Sequence, residues 1–143
     1  MKTVSVLKLT EEGAAVVMQA ALNKARSMGI RANVAVVDDA GYLLAFVRMD
    51  GARLYTIPIC IAKAKSAALM HNPSGKKRAS GEEMTDGHAL ALTLAAGPDS
   101  VVTFPGGVPI RANNQVVGGI GVSGTKDELC QEVAETAIRA LES

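Results

Sequence analysis

Apolar residues return at Ala14, Val17, Met18, Ala21, Leu22, Ala25 and Met28, the spacing with which a helix presents one face to a core. Thr10 ahead of Glu11 and Glu12 supplies a cap and an acidic first turn, and Gly29 supplies the stop. Two short β-prone runs follow, Val34 to Val37 and Tyr42 to Val47, separated by Asp38-Asp39-Ala40-Gly41. This pattern predicts a hairpin. From about Thr56 the period is helical again, with Pro58 in the first turn and Ile57, Cys60, Ile61, Ala64 and Ala68 turned inward. Asn72-Pro73 should end that helix.

Residues 74–80, Ser-Gly-Lys-Lys-Arg-Ala-Ser, read as a polar linker too short to divide domains. Between Glu82 and Ala96 one or two helical turns are expected, interrupted by Gly87 and closed by Gly97-Pro98. Val101 to Phe104 and Gln115 to Val122 read as strands, with turns at Pro105-Gly106-Gly107-Val108-Pro109 and Asn113-Asn114. A last helix follows Thr125 and Glu128, which have capping-box spacing, with Leu129, Val133, Ala137, Ala140 and Leu141 as its stripe. Hairpins rather than crossovers imply an α+β fold, a central antiparallel sheet flanked by helices in a single domain over residues 1–143.

Composition narrows the function classes. Apolar residues make up 48% of 143, yet only 3% are aromatic and none is Trp, so the core is built from small aliphatic side chains. A formal charge of +1 gives no field to gather nucleic acid or an anionic membrane. Cys60 and Cys130 are the two cysteines, without a CxxC, which suits a reducing cytoplasm better than a disulfide framework or a metal site. No apolar run is long enough to span a bilayer, and the first eight residues lack the pattern of a signal peptide.

Candidate chemistry is sparse. Gly119-Ile120-Gly121-Val122-Ser123-Gly124 fits GxGxxG, but too little chain follows for a returning strand and a ribose-binding acid, so close packing is the better reading. The amides around Ser123, Gly124 and Thr125 can bind an anion unless Thr125 and Glu128 cap them. Arg48 and Asp50, two apart on a strand, would share a face, either as a clamp for a carboxylate or as an exposed ion pair. Lys63 and Lys65 fall on different helical faces. Lys63 is either a surface lysine or a partly buried amine available for proton transfer. His71 and His88 belong to no metal-binding spacing, and each is open as a surface residue or as an axial ligand to haem or a corrinoid. Cys60 reads as core. Cys130, in the first turn of the last helix, would be activated only if exposed.

Five segments resemble, in order, the signatures of the GlcG/HbpS family, also found as the C-terminal part of PduO-type proteins. They are Val37 to Leu43, Phe46 to Ala52, Ile61 to Ala64, Phe104 to Pro109 and Val117 to Gly124. The resemblance implies a profilin-like α+β fold, a homo-oligomer, and a pocket at Arg48, Asp50, Lys63, Gly106, Gly107, Ser123 and Gly124. It also implies two departures. Thr125 and Cys130 stand where the family usually has a second Gly and an acid in the first turn of the last helix, and Leu69 to Ser74 replaces a Phe-x-Arg-Pro-Thr stretch, removing a basic residue and adding His71.

Three functions follow from these readings. The first is an accessory small-ligand or cofactor-binding protein for haem or a corrinoid, associated with bacterial catabolism of diols, glycerol or glycolate, with His71 or His88 on the metal and Arg48 or Lys63 on carboxylates. The second is a lyase or isomerase of hydroxy or keto acids, with Lys63 as base and Arg48 as clamp. The third is a structural or regulatory oligomer with a vestigial pocket. Binding stands ahead of catalysis, and no partner of nucleic acid or membrane is expected.

Overall fold

The computed structural model describes residues 1–142. Helix α1 (Glu11–Ser27) is capped by Thr10, whose Oγ1 accepts from the Gly13 N–H at 3.0 Å. The predicted stripe is buried from Ala14 to Ala25, while Met28 becomes the half-buried C-cap. Strands β1 (Asn33–Asp38) and β2 (Leu43–Arg48) form the expected hairpin. Its turn is fastened by Asp38 Oδ1, which accepts from the amides of Ala40 and Tyr42, both at 2.9 Å. A 3-10 turn, Leu54–Thr56, leads into α2 (Ile57–Met70), which ends at His71 in left-handed conformation.

The chain between α2 and the second hairpin departs from the sequence reading. Polar residues 76–84 are not a free linker but a small closed loop, with Arg78 N–H bonded to Glu82 O and Met84 N–H to Lys76 O, both at 2.8 Å. Helix α3 (Asp86–Ala96) is three turns long. Gly87 does not interrupt it, because it falls in the first turn behind the cap of Thr85, whose Oγ1 accepts from His88 N–H at 3.1 Å. Val101 to Phe104 forms no strand. Its anchor is Ser66 on α2, whose Oγ bonds both the N–H and the carbonyl of Val102 at 3.2 Å.

Strand β3 (Gly107–Ala112) instead begins inside the predicted turn. Pro109 is tolerated there because β3 is an edge strand. Asn113 and Asn114, both with positive φ, turn the chain into β4 (Gln115–Ser123). Helix α4 (Asp127–Ile138) closes the fold. The capping box does not form: the chain leaves β4 through Gly124 (φ +116°), the helix starts after Lys126, and Thr125 stays outside it.

The sheet order is β2-β1-β4-β3, antiparallel throughout. Alternation sends Val34, Val36, Ile120 and Val122 toward α1 and α4, and Ala35 and Val37 toward α2. The result is three layers, α1 and α4 on one side, α2 on the other. Helix α2 lies almost on the backbone of β4, since a Cβ at Gly121 would overlap the Cys60 carbonyl oxygen and one at Gly119 that of Ala64. The GxGxxG glycines therefore serve close packing. Among the described residues, no helix is long and apolar enough to cross a membrane.

Candidate functional site

Because α2 presses on β4, the side chain of Lys63 is almost wholly shielded from water. It is 2% exposed, a rare position for a lysine. Its Nζ donates to the Val122 carbonyl at 2.9 Å, stands 3.8 Å from Asp127 Oδ1, and lies 5.4 Å from the centre of the Phe104 ring. Of the two readings the sequence left open, the surface lysine is the one excluded.

Gly106 and Gly107 close over this amine. At Gly106 (φ +125°) a Cβ would lie 2.7 Å from Lys63 Nζ and 2.6 Å from Val122 O, so the position accepts no side chain. Gly107 packs against the Lys63 carbonyl, and its N–H donates to Ser74 Oγ at 2.8 Å while Ser74 Oγ donates to Phe104 O at 2.9 Å. Gln131 Oε1 accepts from Gly106 N–H at 3.0 Å. The nest is thus built from α2, the approach to β3, the end of β4 and the first turns of α4.

Ser74, Phe104, Asp127 and Gln131 were not named as site residues from the sequence. Cys130 carries no acid, but Asp127 supplies one in the first turn of α4, 3.8 Å from Lys63 Nζ. A basic residue from another element does approach His71. Arg111 of β3 reaches over and donates to the His71 carbonyl at 2.7 Å. Only the three-dimensional approach of distant segments reveals either.

A cleft of about 430 Å³ opens beside the nest, between the loop from Asn72 to Gly81 and the middle of α4. Ser74, Pro105 and Gln131 are common to its wall and to the nest or its border. Lys76, Lys77 and Arg78 line it against Glu83 and Glu135, and Lys76 is held by Asp86 at 2.6 Å. His71, exposed, immediately precedes Asn72 at the cleft's edge. His88, also exposed, sits in the first turn of α3 and does not line this cleft.

The remaining candidates divide. Ser123 is buried and spends its hydroxyl on the Thr56 carbonyl at 2.6 Å. Asp127 and Glu128 place negative charge in the first turn of α4, so an anion held by the amides around Ser123, Gly124 and Thr125 would meet like charge there. Burial pushes the Cys60 thiol up to about 12 and raises that of Cys130 as well, in spite of the nearby Lys63 charge. Neither is an activated thiol. Arg48 ends β2 whereas Asp50 lies beyond it in the turn, so strand alternation does not pair them. Both line a different cleft, which none of Lys63, Gly106, Gly107, Ser123 or Gly124 lines. Among the described residues, no group of three or more His, Cys, Asp or Glu is placed to hold a metal ion.

Residues 9–139 match the model of the family described as haem degrading protein HbpS-like. The chain belongs to the HbpS-like family. Among HbpS-like relatives, protein GlcG of Escherichia coli (strain K12) is 32% identical over 116 residues, covering 80% of this chain and 81% of GlcG. The crystal structure of Klebsiella pneumoniae protein ORFY superposes with a TM-score of 0.86 at 27% identity, covering 100% of this chain and 97% of that one. A crystal structure of a PduOC–haem complex superposes with a TM-score of 0.78 at 26% identity, covering 94% of this chain and 95% of that one. The family resemblance and the α+β fold read from the sequence are therefore correct.

Proposed function

We propose that this chain is an accessory binding protein for a tetrapyrrole, haem ahead of a corrinoid, acting as a homo-oligomer in the cytoplasm in support of bacterial catabolism. The observation that carries the reading is the likeness to PduOC in its haem complex, which extends over nearly the whole chain. The residues fit such a group in one respect and limit it in another. His71 offers an imidazole at the edge of the cleft, and Lys77 and Arg78 offer counter-charge to carboxylates there. The cleft is a surface groove of about 430 Å³ rather than a closed haem pocket, and the exposed His88 stands apart on α3. When bound, haem would supply redox or gas-binding chemistry. The chain itself supplies an imidazole ligand and positive charge.

Helix α3 is the surface we assign to self-association. Of its residues only Ala89 is buried, while Leu90 and Leu94 are 62% and 71% exposed. Exposed apolar side chains of this kind are covered in an assembly.

The test is a spectroscopic titration of the purified apo-protein with haemin and, separately, with cobalamin, repeated for His71→Ala and His88→Ala. Saturation near one equivalent per chain, lost in one variant, is expected with haemin. No saturable change with either ligand would overturn the reading.

A second reading, a lyase or isomerase of hydroxy or keto acids, is favoured by the burial of Lys63 beside Asp127. It requires that Lys63→Met abolish turnover of a small hydroxy acid while circular dichroism stays unchanged.

A further inference from the structure

Arg48, Met49 and Asp50 do not line the cleft assigned to the cofactor; with Val47 they form one wall of another cleft, of about 510 Å³, at the β2 edge of the sheet. The opposite wall is the exit from α1, and the two walls together contribute Arg26, Arg31 and Arg48 against the single acid Asp50. Among the described residues none of the three arginines takes part in an ion pair, and none of their guanidinium groups has a hydrogen bond. They are not needed to finish α1 either. The last carbonyls of that helix are satisfied by the backbone, Lys24 O by Met28 N–H, Arg26 O by Gly29 N–H and Ala25 O by Ile30 N–H, at 3.0 to 3.1 Å.

Arg31 has a built seat. Its side chain crosses the face of Gly51 (φ +81°), where a Cβ would lie 2.9 Å from Arg31 Cδ and closer still to the guanidinium. All three arginines are exposed and solvated, so each is free to pair with an incoming anion, and a guanidinium fork matches a carboxylate or a phosphate. Val47 and Met49 add an apolar strip to the same walls. The volume is that of a small-molecule site.

We infer that this cleft is a second ligand site, separate from the proposed tetrapyrrole cleft, for a small organic anion carrying two or more carboxylate or phosphate groups. Carboxylate and phosphate sources are distinguished by titrating the full chain with citrate and with pyrophosphate, read by calorimetry at low and at physiological salt. Saturable binding of at least one anion near one equivalent is expected, weakened tenfold or more in Arg26→Gln/Arg31→Gln and in Arg31→Gln/Arg48→Gln, each with unchanged circular dichroism. Haemin titration of the same variants should be unaltered. Absence of saturable binding by both anions, or equal binding by the variants, overturns the inference. So does loss of haemin binding in these variants, which would make the cleft part of the tetrapyrrole site, whereas failure of haemin to bind the unaltered chain tests the other reading alone.

Discussion

Cys60, Lys63 and Cys130 show how far position outweighs residue type. All three are buried, and the same burial that encloses the amine keeps both thiols protonated. Cys60 ionises near 9 when unfolded and at about 12 when folded. The folded state therefore holds the proton that the unfolded state releases. This contribution is fully present below pH 9 and is lost as pH rises from 9 to about 12, by up to about 1.4 kcal/mol per pH unit. Urea melts across that range should show the decline, and Cys60→Ala should flatten it. At pH 8 a disulfide thiol reagent should modify neither cysteine until denaturant is added; rapid labelling of the native chain would contradict the burial. The sequence named Cys60 as core correctly, but its residues alone left Lys63 open, because α2 is rich in alanine on every side and gives the eye no polar face to assign it to.

Between elements the controlling contact is α2 on β4. Glycine at 119 and 121 removes the side chains that would otherwise hold the helix off the sheet, and the helix settles until its carbonyls meet the strand. Gly121→Ala has no free volume to use and should destabilise the fold by about 1–3 kcal/mol, measured as a fall in the urea midpoint. A variant as stable as the parent would show that α2 can stand off the sheet. The helix α1 and the first hairpin were legible because period, cap and turn residues agreed. Residues 101–109 were misplaced because their β-prone run is held by a side chain, Ser66, rather than by a neighbouring strand, and no sequence pattern announces that partner. The capping box failed for a related reason: Thr125 and Glu128 have the right spacing, but Gly124 redirects the chain so that the helix begins later.

For the whole molecule, sheet order decides which candidate residues meet. Strands β2 and β3 are opposite edges, so Arg48 and Gly107 are three strand spacings apart, roughly 14 Å across the sheet. One predicted pocket thus becomes two places, the nest around Lys63 and the arginine cleft. Helix α3 lies on the surface with Leu90 and Leu94 outward, and if the proposed self-association uses this face, Leu90→Glu/Leu94→Glu should shift sedimentation to a smaller species while leaving the helical signal intact; an unchanged distribution would remove α3 from that proposal. The chain by itself determined the α+β class, the order of helices and hairpins and the aliphatic core, because periodicity and turn chemistry are local and act over a few residues. Tertiary structure alone decided that Lys63 is buried, that Asp127 faces it, and that Arg26 and Arg31 join Arg48. Those facts depend on how closely a helix approaches a sheet and on which strands lie at its edges, and both are set by packing between segments tens of residues apart.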